Sequence, residues 1–159
     1  IYYNYYSTGR PAPDELSNSY VSAYIDLPNS PAYPFGFGLS YTDFEFSEMT
    51  VSDTLLKGSR NLQVSVRVRN TGKLKGKETV QLYLRDEVGR VARPVKELKG
   101  FSQIELMPGE STVVTFNLTT KDLCFYDDQL RFDWEPGYFQ VMVGPDSKQL
   151  LAKRVLWLR

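Results

Sequence analysis

Two adjacent acidic pairs, Asp86-Glu87 and Asp127-Asp128, are the groups in this sequence best placed to do chemistry. Two carboxyl groups held about 5 to 9 Å apart can attack a glycosidic bond, one as acid and the other as nucleophile or base. Adjacency is a poor way to set that spacing. Neighbours on a strand point to opposite faces, and neighbours in a turn are usually solvated. No catalytic residue is therefore assigned within this chain. The sequence has no histidine and one cysteine, Cys124. That removes Ser-His-Asp and Cys-His catalysis, His-ligated zinc and thiolate metal clusters, so neither metal nor cofactor is expected. A second kind of chemistry is stacking on sugar rings, for which Tyr83, Tyr126, Trp134 and Trp157 are the candidates. The strand-like runs around Phe132, Trp134 and Phe139 favour core packing as the commoner use of such rings.

Bulk properties narrow the classes further. The 159 residues are 42% hydrophobic and 24% charged, the profile of an ordinary globular chain. Lys+Arg and Asp+Glu are 19 each, a net charge of zero, so the basic footprint of a nucleic-acid binder is missing. No apolar run reaches the roughly 18 residues of a membrane span. A single cysteine makes no internal disulfide. Cys124, between Leu123 and Phe125, reads as a buried small hydrophobe. Asn117-Leu118-Thr119 is a glycosylation sequon, but Asn117 alternates with apolar neighbours and reads as a solvent-face residue.

The elements that position these groups are strands. Leu62, Val64, Val66 and Val68 alternate with Gln63, Ser65, Arg67 and Arg69, a half-buried antiparallel pattern. Val80, Leu82 and Leu84 repeat it with Gln81, Tyr83 and Arg85 on the wet face. Thr112, Val114, Phe116 and Leu118 form a further inward set, as do Gly137, Phe139, Val141 and Val143, and Leu150 to Leu158 supply a last strand. Asn70-Thr71-Gly72-Lys73, Met107-Pro108-Gly109-Glu110 and Glu135-Pro136-Gly137 punctuate them. Short strands between turn residues, with no helix-length period, predict an all-β antiparallel sandwich over 43–159.

Ahead of the sandwich, the texture differs. Residues 33–42 bring together Tyr33, Phe35, Phe37 and Tyr41, with Phe44 just beyond, around Pro34, Gly36 and Gly38. Pro34 forbids a regular helix or central strand, and the glycines permit positive φ or close approach. Rings at this density are expected to be buried as a seam between two bodies of structure. Ile1–Tyr6 is an aromatic strand-like run, and Leu16–Leu27 shows no sustained period. Residues 1–32 thus read as the tail of another domain plus a linker, and the chain as a piece of a longer one.

Tyr33-Pro34-Phe35-Gly36-Phe37-Gly38-Leu39-Ser40-Tyr41-Thr42 resembles the segment that enters the C-terminal fibronectin type III-like domain of glycoside hydrolase family 3 enzymes, mostly β-glucosidases and β-xylosidases. The resemblance continues through Val68-Arg69-Asn70-Thr71-Gly72, Arg93 to Phe101, Leu106 to Glu110 and Glu135 to Phe139, in order along almost the whole chain. It implies a fibronectin type III or immunoglobulin-like sandwich preceded by the end of an α/β-sandwich domain. It further implies a parent that removes terminal β-linked glucose or xylose with retention, in the periplasm or secreted. The nucleophilic aspartate and the acid/base glutamate would lie upstream, in a (β/α) barrel and the domain after it. This chain would then be a non-catalytic scaffold that meets those domains, with no nucleic acid or membrane as partner. A stand-alone sugar-binding or cell-surface interaction module remains the other reading.

The expected interface comprises Tyr33, Phe35, Gly36, Phe37, Gly38 and Tyr41 from the seam, with Arg93 and Lys96 from a basic loop. Arg90, Arg93, Lys96 and Lys99 gather in 88–101, and like charges gathered together imply a partner that offsets them. Arg93 is expected to reach outward to a carboxylate, with Leu98 and Phe101 turned inward as anchors. A solvated basic rim is the alternative.

Overall fold

The protein, seen in a computed structural model, is described over residues 3–6, 24 and 26–159. Ten strands and one short helix follow each other: β1 (Phe44–Val51), β2 (Leu55–Lys57), β3 (Leu62–Asn70), β4 (Gly76–Asp86), β5 (Glu97–Leu106), β6 (Ser111–Leu118), α1 (Thr120–Leu123), β7 (Phe125–Tyr126), β8 (Phe132–Asp133), β9 (Gly137–Gly144) and β10 (Leu151–Leu158). One sheet has the order β1-β3-β6 and the other β2-β10-β9-β4-β5, while β7 and β8 form a separate hairpin. Neighbours pair antiparallel, except that β2 runs parallel to β10. No helix among the described residues is long and apolar enough to cross a membrane.

The core forms where period-two alternation points the apolar sets of both sheets at each other. Val64, Val66 and Val68 of β3 and Val114 and Leu118 of β6 meet Val80, Leu82, Phe139, Val141, Val143, Val155 and Trp157 of the longer sheet. Each predicted inward set is found facing the core. The connection from β6 to β9, one of several crossings between the sheets, runs through α1 and the β7–β8 hairpin, and the sequence reading did not foresee the helix. Asp122 accepts from the Thr119 amide at 2.7 Å and hydroxyl at 2.9 Å, and Leu123 is driven into the core.

Two expectations are overturned. Gln81 and Tyr83, assigned to a wet face, are both buried, because the aromatic seam and Tyr3 lie across the outer face of β4. Phe101, expected inward, is 70% exposed. The register pairs Gly100 with inward Leu82 and Phe101 with outward Gln81, so the glycine takes the core position. Within this chain Tyr33, Phe35, Phe37 and Tyr41 of the seam are exposed, and Phe44 packs against the core. The expected domain tail and linker over 1–32 lie mostly outside the described residues. Within them, Tyr5 accepts from the Val95 amide at 2.9 Å and Tyr6 bridges to Pro94.

Candidate functional site

The seam is fastened to the sheet by a small buried polar cluster. Gln81 stands on the outer face of β4, and its side-chain amide donates to the carbonyl of Gly36 at 3.2 Å and to that of Pro145. Its carbonyl oxygen accepts from the Tyr83 hydroxyl at 2.6 Å. The amide of Ser147 donates to Phe35 O at 2.9 Å, and Lys96 Nζ donates to Ser147 O at 2.6 Å. Burial pushes the Tyr83 phenol up, with Tyr3 and Asp146 adding to the effect, which keeps it a donor. Tyr3 stacks on Phe35 with centroids 4.1 Å apart and meets Tyr83 edge-on at 5.9 Å.

Gly36 is required twice over. Its φ is +83°, and a Cβ there would lie 2.1 Å from Gln81 Oε1. Gly38, the other glycine of the seam, would meet nothing within 4 Å of an added Cβ. The far end of the seam is clasped by Asn70, which is fully buried. Asn70 Oδ1 accepts from Thr42 Oγ1 at 2.7 Å and from the Gly72 amide, while Nδ2 donates to Leu74 O and Leu106 O. Between the two clasps the rings project away from the sandwich. Tyr33 and Phe37 pack on each other at 5.1 Å, and Tyr41 is 95% exposed. The sequence showed the rings but not the clasps. A Gln within a hydrophobic strand and an Asn ending another were the available signals.

The basic loop is neutralised from within, contrary to the expectation of an external partner. Arg93 turns inward, not outward: it lies 3.3 Å from Asp86 and 3.1 Å from Glu97, with its guanidinium 4.2 Å over the Phe125 ring. Arg90 pairs with Glu135 at 2.6 Å and Lys99 with Glu97 at 3.5 Å. Carboxylates on β4, β5 and the β8–β9 connection thus supply the offset that was assigned to another domain. Lys96 holds the Ser147 carbonyl beside the seam, which joins the loop to the same clasp.

Three carboxylates of the acidic pairs are engaged within the fold, and Asp128 is exposed. Asp86 faces Arg93, and burial raises its carboxyl above the ordinary range while that cation opposes the shift. Glu87 points away to Arg154, which also lies 3.6 Å over Tyr138; the hydrogen bond from Arg154 lowers the Glu87 pKa. Asp127 is buried and organises the β7–β8 turn, accepting from the amides of Gln129 and Arg131 at 2.9 Å each and from Arg131 Nε at 2.8 Å. Of the four candidate stacking rings, Tyr83 and Trp157 are wholly buried. Trp134 is half-buried, edge-on to Trp157 at 6.4 Å, and Tyr126 packs on Phe132 at 4.9 Å. Cys124 is half-buried, its thiol donating to Thr120 O at 3.3 Å, and burial raises its pKa.

Comparison with known proteins matches this architecture. Residues 78–147 match the fibronectin type III-like domain family. The chain is 44% identical over 150 residues to the periplasmic β-glucosidase of Salmonella typhimurium, covering 94% of the chain and 20% of that protein. A putative β-xylosidase of Formosa agariphila is 43% identical over 129 residues, covering 81% of the chain and 17% of that protein. The crystal structure of the β-glucosidase from Listeria innocua with gluconolactone superposes with a TM-score of 0.94 at 41% identity, covering all of this chain and 22% of that one. The chain therefore spans about a fifth of the length of the relatives it matches. Sandwich topology and similarity along the whole sequence identify it as a C-terminal region, with its fibronectin type III-like domain, of glycoside hydrolase family 3.

Proposed function

We propose that this chain is the docking scaffold of a longer β-glucosidase or β-xylosidase that removes terminal sugars with retention. The observation that carries the reading is the one-sided seam. Its backbone is clasped to the sheet by Gln81, Ser147 and Asn70, while Tyr33, Phe37, Leu39 and Tyr41 are held outward and exposed. Apolar area of this size on a rigidly held segment marks a contact surface. The similar chains are about five times longer, so the fitting occupant is the polypeptide upstream, where the α/β-sandwich and barrel domains and their two catalytic carboxyls would lie. The Salmonella relative is named periplasmic, which supports a periplasmic or secreted setting. Glu87, Asp86 and Asp127 are all engaged in ion pairs or turn hydrogen bonds. The chain by itself is therefore expected to leave an aryl β-glucoside at the buffer rate of hydrolysis.

The test places Tyr41→Ser and Phe37→Ser in two settings. In this chain alone both changes leave the melting temperature within about 1 °C, as exposed positions do. In the full-length protein each lowers the melting temperature and the activity. Equal, negligible effects in both settings would overturn the docking reading.

A further inference from the structure

We infer that an open cleft beside the β7–β8 hairpin binds a neutral polyhydroxyl ligand, with the chemistry of a short oligosaccharide. The cleft encloses 550 Å³ and lies apart from the seam and its clasps. That volume is within the usual range for small-molecule sites. Its polar wall consists of three ion pairs. Arg90 Nε lies 2.6 Å from Glu135, an Arg131 guanidinium nitrogen 2.7 Å from Asp127, and one of Arg159 2.6 Å from Asp133. Three cations and three carboxylates balance, so the wall selects neither a phosphate nor a cation. A neutral ligand rich in hydroxyls is what such a wall suits.

Each guanidinium carries five N–H donors in a plane, and the pairings above engage only some of them. The three arginine side chains are more than half exposed. Each is nevertheless held against a carboxylate, which narrows the orientations in which its remaining donors are offered. Arg159 and the Trp134 amide hold the Asp133 carboxyl below its ordinary range, so it stays ionised as an acceptor. Trp134, with the Arg159 guanidinium 5.2 Å over its ring, and Pro136 supply the apolar part of the wall, against which the C–H edge of a sugar can rest. Trp134 is backed by Trp157, whose indole N–H is bound to Gly58 O at 3.0 Å. The inference rests on this chemistry, and only the choice of probes follows from the proposed function.

The chain has two tryptophans, so its NMR spectrum offers two indole signals. Titration with cellobiose and laminaribiose is expected to shift the Trp134 indole and the Arg131 and Arg159 Nε signals saturably, at millimolar concentration. The Trp157 indole, buried and hydrogen-bonded, stays in place. Trp134→Ala and Arg159→Gln each weaken binding about tenfold or more, whereas Tyr126→Ala, on the opposite face of the hairpin, leaves it unchanged. Arg159→Gln decides the matter if Trp134→Ala does not fold. Three results would each overturn the inference: no saturable shift up to about 50 mM of either disaccharide, shifts that persist in both cleft variants, or tighter binding of inorganic phosphate than of the sugars.

Discussion

Arg93 is gripped from three sides, by Asp86 at 3.3 Å, by Glu97 at 3.1 Å and by the Phe125 ring beneath its guanidinium. Four basic residues within ten positions looked like a surface awaiting a partner, yet carboxylates of the chain itself answer Arg90, Arg93 and Lys99, and the Ser147 carbonyl takes Lys96. Glu97 stands four positions after Arg93 and Asp86 seven before it, so the pairing was visible as spacing once the loop was known to fold back. Because the Arg93 side chain is only 9% exposed, its loss leaves Asp86 buried and uncompensated. Arg93→Ala is therefore expected to destabilise this chain itself, by roughly 3 kcal/mol in urea unfolding, where a surface residue would cost almost nothing. Asp127 gives a pH signature. The Arg131 amide, more than any other group, holds its carboxyl below the ordinary range. Its contribution is present above the unfolded value near pH 4 and lost as pH falls through the lower folded value. The amide signals of Gln129 and Arg131 should thus lose protection in that acid window, and Asp127→Asn should abolish the transition. Asp86 works with the opposite sign, since its raised pKa means that acid relieves a burial cost.

At the level of elements, strands were legible wherever one face is wet, because alternation is then enforced by solvent. β3 and β6 follow the rule residue by residue. β4 breaks it, with Val80 through Leu84 all buried, because the seam removes solvent from the outer face; a covering segment far away in sequence leaves no mark on local periodicity. The clasp depends on Gly36, and Gly36→Ala probes it directly. A side chain there must both adopt φ near +83° and displace Gln81. Strain of this kind costs on the order of 1 to 3 kcal/mol, and the lost Gln81 bonds add to it. The expected readout is faster hydrogen exchange at the Ser147 amide, which donates to Phe35 O, with the β3 and β6 amides unchanged. Uniform acceleration would show instead that the seam is part of the sandwich's cooperative unit.

Across the whole molecule, both sheets share one core, so a defect in either should be felt by both. Val66 is fully buried in β3, and Val66→Ala should cost about 2 to 4 kcal/mol with the unfolding midpoints of tryptophan fluorescence and far-ultraviolet circular dichroism falling together. The order of the strands has a further consequence, concerning synthesis. β10 is the last strand made, yet it lies inside the five-stranded sheet, parallel to β2 on one side and antiparallel to β9 on the other. It also delivers Trp157, the largest wholly buried side chain, across 99 residues of sequence to Gly58. On the ribosome, β2 and β9 therefore wait with open edges until Leu151–Leu158 has emerged. At about 5 to 20 residues per second the eight residues of the final strand take roughly 0.4 to 1.6 s to make, and the exit tunnel delays their arrival further. Until then the half-built sheet is a surface to which another nascent copy could add a strand, and shielding it falls to whatever meets the chain at the tunnel mouth.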